Sequence, residues 1–303
     1  MKFELFPPLS IFELGQRSNQ EDAIYPDYGN ATVDTRLFVL CDGMGGHEQG
    51  ELASQTACKA FGEWFCKNVS PNDSFVDEQF NEALSYVYSE LDKYDSESIH
   101  KMGTTMTLLY FHRGGVYAAH IGDSRIYHIR PTEGILYLSR DHSIAVELFQ
   151  AGEISYEEIK SYPRRNIVTR AMMPGDLNRM RPDIIHITDI KPDDYFYMCS
   201  DGMMEHMTDD EFCKLLSSQT SDDKKRQHLI NFTKSNQDNH SAWLIRVKDV
   251  IIEEGDNLEH NEEKTSVCNF IHYIPSKSHK TNDVTIVREK KISFLRKIQN
   301  LFK

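Results

Sequence analysis

Two stretches of this chain, LFVLCDG from Leu37 and YFYMCSDG from Tyr195, share one device: an unbroken apolar run that ends at Asp-Gly. About five consecutive apolar residues without alternation, rich in β-branched and aromatic side chains, read as a strand covered on both faces. Each run therefore asks for packed layers on either side of it. Each also delivers a carboxylate to the end of a buried strand, beside a glycine. A fold that accepts both must gather acids at sheet ends.

The remaining periodicity is compatible with this. Strands are predicted at Leu37–Cys41, Thr104–Phe111, Val116–Ile121, Arg125–Ile129, Tyr195–Cys199 and Ala242–Val247. The turn signal His112-Arg113-Gly114-Gly115 joins the second and third of these as a hairpin. Ala53, Ala57, Ala60, Phe61, Trp64 and Phe65 repeat at helical spacing, and so do Phe75, Val76, Phe80, Ala83, Leu84, Val87, Tyr88 and Leu91. Both stripes read as core-packing helices, and ELFQAGEIS, from Glu147, reads as a helix with a stop. Strands grouped in hairpins and helices grouped in pairs predict α+β rather than alternating β-α-β. Residues 1–250 are expected to form one domain. The stretch 251–303 reads as an acidic linker, one further strand in TNDVTIV, and a basic amphipathic tail, KKISFLRKIQNLFK. That tail suits a membrane surface, a partner or its own domain.

Composition narrows the partners. With 47 acidic against 34 basic residues the net charge is −13, which argues against a nucleic-acid phosphate backbone. The six cysteines contain no C-x-x-C pair, and Cys41, Cys58, Cys199 and Cys213 sit in apolar patterns, as expected of free thiols in a reducing, cytoplasmic compartment. Glu4, Pro7, Pro8 and Glu13 interrupt the N-terminal segment, so no signal peptide is read there. No apolar run approaches the ~18 residues of a membrane span.

The chemistry is carried by acids beside turns and strand ends: Glu21-Asp22, Asp42-Gly43, Asp123 in IGDSRIY, Asp201-Gly202 and Asp238-Asn239. Any one of them alone would be a turn former or a cap. Converging carboxylates repel one another and resist burial unless a counter-charge is present. A hard divalent cation supplies that charge, and oxygen ligands without His or Cys point to Mg²⁺ or Mn²⁺. Gly43, Gly45 and Gly46 allow a sharp turn and the approach of a backbone carbonyl. Two such ions about 3.5–4 Å apart are a general arrangement for attack on a phosphate ester. Arg17, four residues before Glu21, is placed to bind the substrate's phosphate; Arg125, inside a strand, suits an internal ion pair. Competing chemistries find no support: no cysteine has an Arg six positions on, and D-x-D-x-T, HExxH and G-x-x-x-x-G-K-[ST] are all absent.

In order, RSNQEDAIY, DGMGGH, GTT at Gly103, GDSRIY, SRDHS at Ser139, SDGM and DN resemble the metal-dependent protein serine/threonine phosphatases (the PPM, or type 2C, family), in particular their bacterial branch. The resemblance runs from about Leu9 to Val247. It implies a four-layer α-β-β-α sandwich, two antiparallel sheets flanked by pairs of helices, with a dinuclear centre at one end. It also implies that Asp42 bridges two Mn²⁺ or Mg²⁺ ions and that the Gly43 carbonyl binds the first. Asp201 and Asp238 would hold the second, Glu21 or Asp22 would complete the shell, and Asp123 would hold a third, weaker ion. Arg17 matches the phosphate-binding arginine. The implied reaction is direct attack on phosphoserine or phosphothreonine by a hydroxide bridging the two ions, with no phosphoenzyme.

Met44 stands where some members carry a His general acid, leaving His47 as the nearest candidate proton donor. Specificity is expected in the segment from Ser143 to Arg170, where the family carries its flap. Expected partners are phosphorylated proteins and a cognate Ser/Thr kinase, with the chain itself a monomer. A catalytically weak binding protein on the same fold and a phosphatase of small phosphoesters are the alternatives.

Overall fold

The computed structural model describes residues 1–45, 48–95, 102–175 and 179–252. The strands are β1 (Lys2–Leu5), β2 (Leu9–Glu13), β3 (Asp22–Tyr25), β4 (Leu37–Met44), β5 (Gly103–Thr104) and β6 (Met106–His112). They continue with β7 (Gly115–Ile121), β8 (Arg125–Arg130), β9 (Gly134–Leu138), β10 (Asp183–Ile187), β11 (Tyr195–Cys199) and β12 (His240–Ile251). The helices are α1 (Glu48–Asn68), α2 (Asp77–Leu91), α3 (Ile144–Gln150), α4 (Tyr156–Ile159), α5 (Asp209–Leu216) and α6 (Asp222–Thr233).

Every ladder is antiparallel, and two sheets of six strands result. One runs β10-β7-β6-β4-β3 with β5 on β4; the other runs β1-β12-β11-β8-β9 with β2 on β12. The side-chain alternation of β4 shows why its run is apolar throughout. Val39 and Cys41 face α1 and α2, joining Ala57, Phe61, Phe65 and Phe80. Phe38 and Leu40 face the opposite sheet, joining Phe196, Met198, Trp243 and Ile245. From β11, Tyr195, Tyr197 and Cys199 pack instead on Phe212, Leu216 and Leu229 of α5 and α6. Helices, sheet, sheet and helices therefore stack in four layers, and both Asp-Gly strands are covered on both faces, which is what their composition requires. Cys41, Cys58 and Cys199 are buried and free.

Several boundaries differ from expectation. The predicted strand at Thr104–Phe111 is broken at Thr105, because the Thr105 backbone N–H and side chain both bond to Asp42. The second helix begins at Asp77, leaving Phe75 as a buried residue of the approach and Val76 as the N-cap. The last strand starts earlier and ends later than Ala242–Val247, since β2 and β1 pair successive halves of it. The helix with a stop is α3, ended by Gly152 at φ +72°. The hairpin closes with His112 opposite Gly115, which takes φ +132°. The expectations for the tail beyond residue 252 lie outside the described residues.

His112, 4% exposed, closes that hairpin. Its Nδ1 accepts the N–H groups of Phe75 (3.0 Å) and Gly114 (3.1 Å). Burial, with a contribution from His186, lowers its pKa to about 4. The unfolded value lies near 6.5, so the folded protein binds the proton less readily than the unfolded chain. The stabilising contribution is complete above pH 6.5 and is lost as pH falls towards 4, about 3 kcal/mol in all. His112→Asn offers an acceptor near Nδ1 but no titrating ring. Urea unfolding at pH 7.5 and 4.5 is expected to show a smaller acid loss in this variant than in the wild type; equal losses would refute the assignment.

Candidate metal centre

Asp22 opens β3 directly opposite Asp42 of β4, a like-charge cross-strand pair that disfavours folding unless something offsets it. Asp22 is 2% exposed. Its Oδ2 accepts the Ser200 hydroxyl at 2.8 Å, whereas Oδ1 is buried with no hydrogen-bond partner. Ser200 in turn accepts the Ser241 N–H at 3.0 Å, so one hydroxyl ties β3 to the ends of β11 and β12 across the sandwich. Burial, together with Asp201 and Asp238, pushes the Asp22 carboxyl up to about 7. Asp42 is driven well above the usual carboxylate range by burial and then by Asp22, Asp201, Asp123 and Asp238. Burial followed by Asp201 does the same to Asp123, and burial followed by Asp238 brings Asp201 to about 6. Asp22, Asp42, Asp123, Asp201 and Asp238 thus converge at one end of the two sheets.

The backbone holding these acids is tightly specified. Asp42 donates its N–H to Thr105 Oγ1 at 2.9 Å and accepts the Thr105 N–H (2.8 Å) and the Thr104 hydroxyl (3.0 Å). A Cβ on Gly43 would lie 2.1 Å from the Gly50 carbonyl oxygen and 2.7 Å from that of Glu21, so only glycine fits beside Asp42. Gly202 is equally constrained, with the Asn239 carbonyl oxygen 2.0 Å from any added Cβ. Asn239 accepts the Glu21 N–H at 2.8 Å and donates to the carbonyls of Leu14 (2.8 Å) and Asn19 (3.0 Å). Glu205 accepts the N–H groups of Gln237 and Asp238, each at 3.0 Å.

Arg17 stands at the rim and donates through Nη2 to Asp238 Oδ2 at 2.8 Å. Glu21 contributes its carbonyl, which accepts the Gly43 N–H at 3.0 Å and the Ser54 hydroxyl at 2.5 Å; its carboxylate lies against Gly50. Arg125 forms the internal ion pair expected of it, bidentate to Asp141 at 2.8 and 2.7 Å and further bonded to Asp209. His47 and Gly46 lie outside the described residues. Sequence reasoning missed Ser200 and Glu205; Ser200 adjoins the Asp201-Gly202 signal, but neither belongs to a motif that declares its partner. The donor set fits a hard divalent cation on three counts: all-oxygen chemistry, mutual repulsion among the acids, and the orphaned Asp22 Oδ1.

The protein phosphatase 2C profile matches residues 14–243. A protein phosphatase 2C-type chain of Streptococcus pyogenes serotype M6 is 35% identical over 72% of this chain and 87% of its own length. The solved serine/threonine phosphatase Stp1 of Staphylococcus aureus superposes with a TM-score of 0.70 at 26% identity, over 82% of this chain and 98% of that one. The catalytic domain of the serine/threonine protein phosphatase PstP, solved in complex with two manganese ions, gives a TM-score of 0.66 at 25% identity, over 82% and 100%. The chain belongs to the protein phosphatase 2C family, the metal-dependent serine/threonine phosphatases, and its similarities lie with bacterial members. It is an enzyme, a protein phosphatase of the phosphoric monoester hydrolase class.

Proposed function

We propose that the chain hydrolyses phosphoserine and phosphothreonine in proteins, opposing a Ser/Thr kinase, with two Mn²⁺ or Mg²⁺ ions and a third, weaker one held by the converging acids. The observation that carries this is the convergence of Asp22, Asp42, Asp123, Asp201 and Asp238 at one end of the sheets, with Asp22 and Asp123 buried and Asp22 Oδ1 unpartnered. In this reading Asp42, which stands opposite Asp22, would hold both principal ions, with the Gly43 carbonyl beside it. Asp201 and Asp238 face it from the other sheet, and Asp123 adjoins Asp201. Glu21 lies next to Asp22 and completes the set. When bound, the cations would supply activated water for the hydrolysis and charge for the phosphate oxygens.

The protein's own part is to orient. Thr104 and Thr105 hold Asp42 along the strand, and Glu205 and Asn239 fix the Asp238 loop. Arg17, more than half exposed, can swing from Asp238 to a substrate phosphate and bind it through two N–H groups. Residues 1–250 constitute the phosphatase domain in this reading. Among the described residues no helix is long and apolar enough to cross a membrane, and we place the reaction in the cytoplasm with the chain acting as a monomer.

Hydrolysis of phosphopeptides and of p-nitrophenyl phosphate, with Mn²⁺ or with EDTA, tests the reading. Turnover of phosphopeptide that requires metal is the expected result; turnover of small esters alone, or none with metal, would overturn it. Arg17→Ala is expected to lower kcat/KM for phosphopeptide about tenfold to a hundredfold, the worth of a hydrogen bond to a charged group. Arg17→Lys should recover part of that loss. An unchanged kcat/KM in Arg17→Ala would remove Arg17 from the substrate's binding site.

A further inference from the structure

Near the acid cluster, His120, His142 and Asp183 bring ligand-type atoms within 4.8 Å of one another, and the bonds they make decide what the group does. The Gly122 N–H donates to His142 Nδ1 at 3.0 Å. The lone pair of the neutral ring is therefore at Nδ1 and its proton at Nε2, which lies 3.3 Å from Asp183 Oδ2. His120 stacks on His142 with ring centroids 4.6 Å apart and donates from Nε2 to the Arg140 carbonyl at 2.8 Å. Asp183 also holds two guanidinium groups, Arg140 at 3.2 Å and Arg170 at 2.9 Å. A cation bound here would require His142 to give up its only ring proton and would face both arginines. The group is not a metal site.

What His142 does instead is grip Gly122 twice. Its ring accepts the Gly122 N–H, and its own N–H donates to the Gly122 carbonyl at 2.9 Å. Gly122 takes φ +107°, and an added Cβ would lie 2.5 Å from Thr105 Cγ2. Thr105 accepts the Asp42 N–H and shares a 2.8 Å hydroxyl bond with Ser124. The turn between β7 and β8 is thus clamped between His142 on one side and Thr105 on the other, and the residue it presents is Asp123, 8% exposed. His142 is itself tied to the following segment, its carbonyl accepting the Thr169 N–H at 2.8 Å.

We infer that His142, oriented by Asp183, is a positioning residue that sets the Gly122–Asp123 turn and thereby fixes where the Asp123 carboxylate stands in the metal centre. This rests on the proposed reading of Asp123 as a metal-holding acid. Groups that orient a ligand rather than touch the ion typically change metal affinity about tenfold to a hundredfold when removed.

The test is Mn²⁺ binding to the full chain, read from the electron paramagnetic resonance of free Mn²⁺, with a melting curve for each variant. Asp123→Asn is expected to weaken one class of Mn²⁺ sites. His142→Ala should weaken the same class about tenfold to a hundredfold. His142→Asn, which keeps an acceptor near Nδ1, should restore most of it. Asp183→Asn should shift the same sites by a smaller factor, and no shift would remove Asp183 from the assignment. If His142→Ala lowers the melting midpoint but binds Mn²⁺ as the wild type does, His142 only stabilises the fold and the inference is overturned. If His142→Ala does not fold, the comparison passes to His142→Asn and His142→Gln, whose acceptor stands near the other ring nitrogen. The inference then requires tighter binding by the Asn variant, and equal binding overturns it. If Asp123→Asn changes no Mn²⁺ site, it is the assignment of Asp123 that has failed, and the inference falls with it.

Discussion

Asp42→Asn is expected to abolish phosphatase activity while making the metal-free protein more stable. Asparagine has the same shape, and the bonds that hold position 42 to Thr104 and Thr105 run through its backbone, so the strand should persist. What disappears is a carboxyl whose ionisation is opposed by burial and by Asp22, Asp201, Asp123 and Asp238. In EDTA the melting midpoint should rise, by about 2–4 °C for each kcal/mol of repulsion relieved in a domain of this size. Activity should fall more than about a hundredfold, since removing groups that merely orient a metal ligand already costs tenfold to a hundredfold. Mn²⁺ at a hundredfold excess over its Kd should stabilise the wild type by about 2.7 kcal/mol, and the variant by clearly less. Phosphopeptide turnover with Mn²⁺ and thermal melts in EDTA and in Mn²⁺ together decide it. Retained Mn²⁺-stimulated turnover, or a lower midpoint in EDTA, would contradict the account of the cluster.

The two Asp-Gly strands were legible because both faces of each are covered, which leaves an unbroken apolar run that few other structures explain. β3 was not, because it has only four residues and ends at Tyr25-Pro26. β9 and β10 were missed for a different reason: their residues are mostly half-exposed, so neither an apolar run nor a clean alternation marks them. The start of α5 does carry a signal, a capping box between Thr208 and Glu211, but the helix is short and its apolar face small. Within the site, Asp42, Asp123, Asp201 and Asp238 could be picked out because an acid beside a turn, with an apolar stretch on one side or the other, is visible in one dimension. Glu205 and His142 could not. Their partners are backbone groups 33 and 20 residues away, at Asp238 and Gly122, and residue type alone does not say which distant N–H a side chain will meet.

Arg130→Met is expected to cost about 3–5 kcal/mol of stability at neutral pH, the usual consequence of stripping a buried charge of its partner. Asp194 is fully buried just before β11. It accepts from Arg130 Nε at 2.8 Å and Nη2 at 2.9 Å, from His128 Nε2 at 2.9 Å and from the Lys191 N–H at 2.9 Å. Burial alone would raise its carboxyl, but His128, Arg130 and the Lys191 N–H bring it down to about 2. The unfolded value is near 3.9, so the folded pKa is depressed. The contribution is therefore present above about pH 4 and lost as pH falls towards 2. In Arg130→Met the carboxylate loses its guanidinium and titrates higher, so the gap to the wild type should be widest at pH 7 and narrow on acidification. Adding Asp194→Asn to the variant should recover part of the loss, because the stranded charge is gone while an acceptor for the Lys191 N–H remains. Urea unfolding of the three proteins at pH 7 and pH 4 measures each term. The network joins the end of β8 to the start of β11, away from the acid cluster, so Mn²⁺ activation below the melting transition should be unchanged. A variant within about 1 kcal/mol of the wild type at pH 7 would mean that Asp194 is held by His128 and the backbone alone, since a single hydrogen bond is worth about that much.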